Sequence, residues 1–542
     1  MRLEVTLDER EVTKMYWERA RVFREQGDND RALQSLKDVT MLEPDHVGAL
    51  ALSGDIAIKK QDFAEAGPIM ARLASLDAAP KKQRLFAGIA AVDIFQKHLK
   101  EPQKALEVLL QLYRDGLSNA KVRERLARTA ARVGNWPDAV KILERLMKER
   151  KTDEGRADAA RLAMRIYRDK LSAPERSENA LRALLKERPD DAEALRTLLQ
   201  FEISTSLRNE AVAEALRLLV RQLADDPFDL DRVSLLAELA GATDNLDLQR
   251  AAAGVALALG GDRQTFEPVA ARIDARSSLE PQIRLDAAAL QHLADGEDAG
   301  PAAELMRIAA PALTEALGPS TKTEDVGRRQ RTDSGPMRTE VARWMGALGI
   351  DDFDLYLGGR DAGAIKGIGD DKPALVVGDG VAAPLDKSHR SAVARQVFGL
   401  RRGSVSVLFR DDASIASAIV AVCRDAGVQL AEPPFAVYKE VERLVKKAMS
   451  RRIRKAVQPV AQQFAQSGQD PARWANAARR SADRMALVAS GDAESVIDQA
   501  IGPLGSPSRQ LMKEDLRARA LLSFALSAEY LELRRKLRMG AV

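Results

Sequence analysis

Side chains that commonly carry out covalent or metal chemistry are scarce in this sequence of 542 residues. A single cysteine, Cys423, excludes disulfides within the chain and cysteine-based zinc sites. It lies in an apolar helical pattern, IASAIVAVCRDAG, which predicts a buried and unreactive thiol. The histidines, His46, His98, His292 and His389, are far apart in sequence. No Ser/His/Asp or paired-carboxylate pattern stands out, so we expect no cofactor and no catalytic residue.

A glycine-rich segment, Gly358–Lys372, has a composition that could suit a phosphate-binding loop. It reads GGRDAGAIKGIGDDK and lacks the Gly-Lys-Ser/Thr ending of a P-loop. No Gly-x-Gly-x-x-Gly opens a helix after a strand either. We therefore predict a loop between two strands of a sheet.

A run of cations, KKAMSRRIRK, interrupts an otherwise balanced charge pattern. Apolar residues at helical spacing around it predict one amphipathic helix, which could attract an acidic protein, nucleic acid or anionic lipid. A solvated helix face is the alternative. No aromatic residue is interleaved, which argues against stacking on bases. The possible anionic-partner surface comprises Lys446, Lys447, Arg451, Arg452, Arg454 and Lys455.

The composition allows more than one domain and sizeable cores. The hydrophobic fraction is 45%, and the formal net charge is only +4, whereas nucleic-acid-binding domains are usually strongly basic. No stretch approaches the roughly 18 apolar residues of a membrane span. The first residues lack the apolar core of a signal peptide. These features predict a cytoplasmic protein.

Small residues, glycines and prolines recur at a period of 34 residues in the first half of the sequence. Ala20, Gly27, Ala32 and Pro44 mark the first copy, and Ala66 lies one period after Ala32. Small residues let antiparallel helices approach closely, Gly accepts a positive φ at a helix end, and Pro ends a helix. Further copies are marked by Ala105, Ala127, Gly134, Ala139, Ala180 and Ala215.

This pattern resembles the tetratricopeptide repeat family over about residues 10–260, and at its widest to about 317. The resemblance implies a right-handed superhelix of helix pairs whose concave face binds a peptide or helix of a partner protein. The expected fold class is mainly α: a repeat array of the α-solenoid type over 1–317, followed by a smaller, helix-rich α+β domain. The pattern does not indicate which inner-face residues bind.

The composition of the sequence changes after residue 317. Residues 318–336 are polar and rich in Gly and Pro, which predicts a flexible linker or long loop before a domain over 337–542. Short β-rich runs follow and predict a small sheet. They lie at Phe353–Gly359, Lys372–Gly380 and Ser404–Arg410. Helices are expected at 387–401, 412–426, 435–466, 470–488, 491–501 and 509–537.

Two stretches resemble M48-type zinc metallopeptidases over about residues 340–505. They are ALVVGDGVAAPLDKSHRSAVARQVFGLRRGS and ARRSADRMALVASGDAESVI. The first is similar to the strand and helix where that family carries His-Glu-x-x-His. The second is similar to a later helix, where a ligand glutamate shortly precedes Ala-Asp-Arg. Zinc hydrolysis needs two imidazoles one helical turn apart, a third ligand and a carboxylate base.

None of these ligands is present at the matching positions. Arg395 and Gly399 stand where the family has its histidines, Gln396 replaces the general base, and Arg479 replaces the ligand glutamate. Asp483 is retained, as a remnant of the former site or as a structural ion pair. The resemblance therefore implies an inactive copy without metal, in which helix 387–401 packs near helix 474–488.

Three functions follow from these features. The sequence favours a non-enzymatic scaffold that binds proteins through its repeats, with the C-terminal domain as a second interaction surface. An enzyme with unrecognised chemistry in the C-terminal domain is one alternative. A binder of anionic partners through the cations at 446–455 is another. The oligomeric state and the identity of the partner stay open.

Overall fold

The structure, a computed structural model, describes residues 8–149, 153–201, 203–320 and 327–541. The chain is mainly helical, with an α-solenoid first and an α+β, helix-rich region after it. Contacts between elements divide it into two compact units, Met1–Ala215 and Leu216–Val542. The boundary falls inside one helix, Thr205–Asp225.

Consecutive helices joined by short turns form the first unit, and from α1 to α11 each helix packs against the next. Short connections make such neighbours antiparallel. Side chains of Asp28, Asp62 and Asn119 accept hydrogen bonds from free backbone N–H groups at helix starts, which fixes where α2, α4 and α7 begin. The helices are α1 (Glu9–Glu25), α2 (Asn29–Leu42), α3 (Val47–Lys59), α4 (Phe63–Ser75), α5 (Lys81–Asp93), α6 (Pro102–Arg114), α7 (Ala120–Val133), α8 (Trp136–Glu149), α9 (Asp153–Asp169), α10 (Glu178–Glu187), α11 (Ala192–Gln200) and α12 (Thr205–Asp225).

The small residues of the repeat pattern lie where helices cross. Ala32, Ala66 and Ala139 are completely buried, as the pattern predicts. At Gly88, an added Cβ would lie 2.6 Å from Cδ1 of Leu112, so α5 and α6 approach too closely for any side chain there. Among the described residues of 10–260 there is no strand, in agreement with the repeat prediction.

The second unit continues with helix pairs and then becomes irregular. The pairing of α13, α14 and α15 ends at Asp274, and residues 275–286 form no helix. The helices are α13 (Leu230–Ala242), α14 (Leu246–Ala258), α15 (Arg263–Asp274), α16 (Ala287–Leu293), α17 (Pro301–Leu317), α18 (Pro336–Ala347), α19 (Lys387–Arg402), α20 (Asp412–Asp425), α21 (Tyr438–Ala448), α22 (Arg451–Ser467), α23 (Pro471–Ser490), α24 (Ala493–Ala500), α25 (Pro507–Gln510), α26 (Leu516–Ala525) and α27 (Ala528–Lys536).

The predicted domain boundary at residue 317 falls inside this second unit. Helix α17 packs against α20, α21 and α22, and its Leu305 shares a buried core with Ile419 and Trp474. The loop before α17 is held by charge, since Arg480 of α23 donates to both carboxylate oxygens of Asp295, at 2.9 and 3.0 Å. Residues 216–317 therefore fold with the C-terminal region, and the second unit is the larger one rather than the smaller.

A four-stranded sheet in the order β1-β2-β4-β3 lies in the second unit. Strands β2 and β4 are parallel, and the pairs β1–β2 and β3–β4 are antiparallel. The strands β2 and β4 coincide with the first two predicted β-rich runs. The bounds are β1 (Arg329–Arg331), β2 (Asp354–Gly358), β3 (Ile365–Ile368) and β4 (Ala374–Val377).

Two strands occur where the sequence predicts loops. Strand β1 lies within the predicted linker 318–336, whose residues 321–326 lie outside the described part of the chain. Strand β3 lies within Gly358–Lys372, the segment predicted to be a loop. Both are short and pair with a stronger neighbour, so tertiary pairing rather than local propensity makes them strands.

The third predicted strand, Ser404–Arg410, is instead a 3-10 turn at Val405–Leu408. The reason is that backbone carbonyls of this segment accept hydrogen bonds from an arginine side chain instead of from a neighbouring strand. Arg479 donates to the carbonyl oxygens of Val407, at 3.0 Å, and Arg410, at 2.6 Å. Alternating valines alone therefore do not make this segment a strand, although Val405 and Val407 are both buried.

The predicted helix 435–466 is two helices, α21 and α22. The chain leaves helical geometry at Met449 and Ser450, and the Ser450 side chain accepts a hydrogen bond from the Ile453 N–H to begin α22. The six predicted cations are thus shared between two helices instead of lying along one. Among all described residues, no helix is both long and apolar enough to cross a bilayer.

Candidate functional site

A groove in the first unit lies between α7 and α9, with α8 as its floor. Its volume is about 420 Å³. Glu124 and Arg128 are one turn apart on α7, and Asp158, Arg161 and Arg165 follow at similar spacing on α9, so each set shares one helix face. Leu143 and Leu146 of α8 form an apolar base. The lining residues are Glu124, Arg128, Leu143, Leu146, Gly155, Asp158, Ala159, Arg161, Leu162 and Arg165.

The groove arginines differ in how much of them a ligand could reach. The Arg128 side chain is 65% exposed and pairs with Glu124 at 2.7 Å. The Arg165 side chain is 52% exposed and donates from Nε to Glu193 of α11 at 2.9 Å. Arg161 is mostly buried and pairs with Asp191. Arg128 and Arg165 are therefore the groove cations most open to a partner.

Ion pairs between α9 and α11 fix one wall of the groove. Hydrogen bonds from Arg165 hold the pKa of Glu193 below its ordinary value against the opposing effect of burial, and Arg168, at 3.0 Å, adds to the effect. The same contact raises the pKa of Arg165. These groups stay charged around neutral pH, so the wall keeps its pairing there.

Some of the positions that the peptidase resemblance assigns to a metal site lie close together in the second unit. Helix α19 packs against α23, as the peptidase resemblance predicts, and Arg395 pairs with Asp483 at 3.0 Å. Asp483 is 1% exposed and also accepts a hydrogen bond from Arg517 at 3.0 Å. Burial lowers the pKa of the Arg395 guanidinium, and the attraction of Asp483 opposes this effect. One buried carboxylate thus pairs with two arginines.

The other positions assigned by the peptidase resemblance join elements of the fold. The side-chain oxygen of Gln396 accepts a hydrogen bond from the Gly367 N–H of β3 at 3.0 Å, which ties α19 to the sheet. Gly399 lies against the turn after α19, where an added Cβ would be 3.1 Å from Cδ1 of Leu408. Arg479 bonds to that turn and to Asp412. Each of these residues has a structural contact in place.

Groups able to bind metal or act as nucleophiles do not converge in the described residues. No cluster of three or more His, Cys, Asp or Glu side chains there has the arrangement of a metal site. His389 pairs locally with Asp386 at 2.9 Å. Cys423 is fully buried, and burial raises the pKa of its thiol to about 12.

A wide polar cleft of about 1540 Å³ lies beside Arg479 in the second unit. Its walls mix acids with arginines, among them Asp412, Arg480 and Arg517. Arg479 and Arg517 are already bonded to carboxylates and backbone carbonyls. The cleft therefore offers a charged surface, while Arg395 and Gln396 lie outside its lining.

The predicted basic cluster is only partly neutralised. Lys446 pairs with Glu442 at 3.3 Å, and Arg454 pairs with Asp425 at 2.6 Å. The other four members are exposed. They are Lys447, Arg451, Arg452 and Lys455.

A family model of the tetratricopeptide repeat matches residues 123–157. The first unit contains a tetratricopeptide repeat. The matched residues span most of α7, all of α8 and the start of α9, which are the three helices that form the groove. The repeat and the candidate site therefore coincide.

Several solved structures are similar to parts of the chain. YrrB, described as a TPR protein with an unusual peptide-binding site, is 20% identical, with 33% of this chain and 89% of YrrB covered and a TM-score of 0.23. MamA is 18% identical, with coverages of 34% and 95% and a TM-score of 0.23. The TPR2AB domain of yeast Sti1, in complex with pHSP90, is 15% identical, with coverages of 48% and 95% and a TM-score of 0.23. No curated protein sequence gives a significant match.

Sequence reasoning did not identify the charged residues of the groove. A local signal existed, because Glu124 and Arg128 flank the landmark Ala127 on the first helix of a repeat. Asp158 and Arg161 stand on the next first helix, α9. What the sequence lacked was the distance between α7 and α9, which depends on how successive helix pairs stack.

Proposed function

We propose that this chain is a non-enzymatic scaffold that binds a segment of a partner protein in the groove between α7 and α9. The observation that carries the proposal is the combination, inside a tetratricopeptide repeat, of an apolar floor with exposed arginines on two successive first helices. Protein interfaces usually combine an apolar centre with a polar rim.

The ion pair between Arg128 and Glu124 is of a kind that a ligand can replace. Arg128 pairs with Glu124 on its own helix at the surface, and exposed pairs of this kind contribute about 1 kcal/mol or less. A carboxylate of a partner could take the place of Glu124 at little cost. Apolar side chains of the same segment would cover Leu143 and Leu146. The expected ligand is therefore a segment with both acidic and apolar residues.

We also propose that the second unit is an inactive, peptidase-like scaffold that provides a second interaction surface. The contact of Arg395 with Asp483, between the two helices of the resemblance, supports this proposal. Gln396 and Arg479 form hydrogen bonds with the backbone of other elements. These bonds favour a structural role for the two residues over a catalytic one.

An enzymatic activity in the second unit is the alternative, and the polar cleft beside Arg479 is the observation that motivates it. The lining includes no histidine, cysteine or serine. Its arginines Arg479 and Arg517 already have bonds to carboxylates and carbonyls. We therefore assign to the cleft a role in partner contact instead of catalysis.

Peptide selection against the full chain tests the groove. Peptides selected from a random displayed library would be measured with the wild type and with the double variant Arg128→Ala, Arg165→Ala. We expect the double variant to bind roughly tenfold more weakly, because two exposed ion pairs with acidic residues of the segment, each contributing up to about 1 kcal/mol, are lost together.

Arg182→Ala is the matched control, since Arg182 is 50% exposed and pairs with Glu178 four residues away, as Arg128 does with Glu124. Circular dichroism would confirm that all variants keep their helices. Selected peptides that bind the double variant as tightly as the wild type would contradict the proposal.

A further inference from the structure

Five exposed cations lie within thirteen residues of the second unit without an acidic partner. No carboxylate among the described residues lies within ion-pair distance of any of them, in contrast to Arg454 and Arg473 of the same unit. We name them the basic surface. It consists of Arg443, Lys447, Arg451, Arg452 and Lys455.

The acids next to the basic surface are already engaged. Glu442 contacts Lys446 at 3.3 Å, and Asp425 contacts Arg454 at 2.6 Å, and both acidic side chains are mostly buried. Glu440 is exposed, three residues before Arg443, and does not pair with it. The positive charge of the surface is therefore left for a partner molecule.

The cations are held close together by the junction of α21 and α22. Met449 is 3% exposed and anchors the junction in the core. Arg454 donates to the carbonyl of Lys446 at 3.1 Å, which ties the start of α22 to the end of α21. Lys447 and Arg451 are four residues apart, so their Cα atoms lie within about 15 Å. The positive end of the α22 dipole points into the same junction.

Another part of the second unit shows which side chains pair with arginines on a helix face. In the same unit, the loop before α17 places Asp295 and Glu297 on Arg473 and Arg480 of α23, with bonds from Nε of 2.7 Å to Glu297 and 2.9 Å to Asp295. A short acidic loop is thus sufficient to neutralise such a row. The basic surface lacks an equivalent loop within the described residues.

Other anionic partners fit less well. The exposed large apolar side chains of the described residues include none between Phe409 and Leu504, so the surface has no group to insert into a lipid layer. The segment 443–455 contains no aromatic residue on which a base could stack. Protein carboxylates need neither feature.

We infer that the basic surface binds a segment of a partner protein that is rich in Asp and Glu. The proposed function gives the second unit a second interaction surface. This inference rests on that proposal and specifies where the surface lies and what it binds. The groove between α7 and α9 plays no part in it. Recognition is by charge at a preformed surface, so it weakens as salt rises.

Fluorescence anisotropy with a labelled peptide of ten glutamates tests the inference on the full chain. The variant Lys447→Gln, Arg451→Gln, Arg452→Gln should bind roughly tenfold more weakly than the wild type at low salt, because several exposed ion pairs are lost together. The control Lys81→Gln, Lys82→Gln, Lys121→Gln removes the same charge from exposed positions of the first unit and should bind like the wild type.

Three outcomes would overturn the inference. The first is equal binding by the basic-surface variant and the wild type. The second is tighter binding of a ten-nucleotide single strand, or of vesicles containing phosphatidylserine, through the same three residues. The third is loss of the glutamate peptide in the groove variant Arg128→Ala, Arg165→Ala instead. Failure of groove binding alone would leave the basic surface unaffected, so the two proposals are tested separately.

Discussion

Charged residues of this chain are mostly used to hold helices in place, and Asp483 is the clearest case. It is buried between Arg395 and Arg517, on three different helices, α23, α19 and α26. The Asp483 carboxylate accepts hydrogen bonds from Arg517, forms an ion pair with Arg395, and loses its contact with water. Two cations depend on it in return, so its removal leaves charge buried without compensation.

Replacing Asp483 by Asn should therefore destabilise the protein strongly. The expected loss in the free energy of unfolding is about 3–5 kcal/mol, the range for breaking a buried ion pair from one side. Denaturant unfolding followed by circular dichroism would measure it. Asp412→Asn is the control, because Asp412 pairs with Arg479 while 44% exposed and should cost about 1 kcal/mol or less. A similar small loss for both variants would show that the Asp483 pairs do not stabilise the fold.

At the scale of elements, the stacking of α9 on α11 depends on ionised side chains. Glu193 of α11 accepts hydrogen bonds from Arg165 and Arg168 of α9. The contact lowers the pKa of Glu193 from 4.5, so the folded state binds its proton less readily than the unfolded chain does. Its contribution to stability is complete above the unfolded pKa and is lost as the pH falls through the folded value.

The variant Glu193→Gln should reveal this dependence on pH. At pH 7 it should be less stable than the wild type. The difference should shrink as the pH falls from 4.5, the ordinary pKa of a glutamate, through the lowered pKa of folded Glu193. Thermal unfolding between pH 3 and pH 7 would follow the difference. Glu107→Gln, at an exposed glutamate of α6 without an ion pair among the described residues, should give a difference that does not vary with pH. A constant difference for Glu193→Gln would contradict the prediction.

At the scale of the whole molecule, the proposed function joins two binding surfaces on one chain and includes no reaction. The first unit has a tetratricopeptide repeat with a groove at the matched helices. The second unit has the basic surface and, where the resemblance places metal ligands, arginines bonded to their neighbours. In both proposals the expected partner segment is acidic, and the two surfaces lie at different positions in the chain.

Purified protein should accordingly contain no stoichiometric zinc and should not hydrolyse peptides. Arg395 and Arg479 place positive charge where a zinc ion would bind, and Gln396 cannot act as a base. Elemental analysis after dialysis against zinc would measure the metal, and mass spectrometry of a peptide mixture would detect cleavage. One zinc ion per chain after dialysis would refute the inactive-site assignment and revive the enzymatic alternative.

Local physical chemistry is enough to determine much of this protein from its sequence. The positions of Ala32, Ala66 and Ala139 indicate helix crossings because only a small side chain fits there, and each is completely buried. The runs around β2 and β4 indicate strands because they are short, β-rich and bounded by glycines. Most of the long helices of the second unit follow from capping residues and periodicity in the same way.

Only the tertiary structure decided the features that depend on contacts between distant segments. Ser404–Arg410 has the composition of a strand, yet Arg479, about seventy residues later, bonds to its carbonyls and the segment forms a turn. The unit boundary moves from 317 to 215 because α17 finds its apolar partners in α20 to α22. The groove exists because α7 and α9 stack at a particular distance. Side-chain size and local propensity depend on residues that are neighbours in the sequence. The contacts between distant segments depend on the packing of the whole unit.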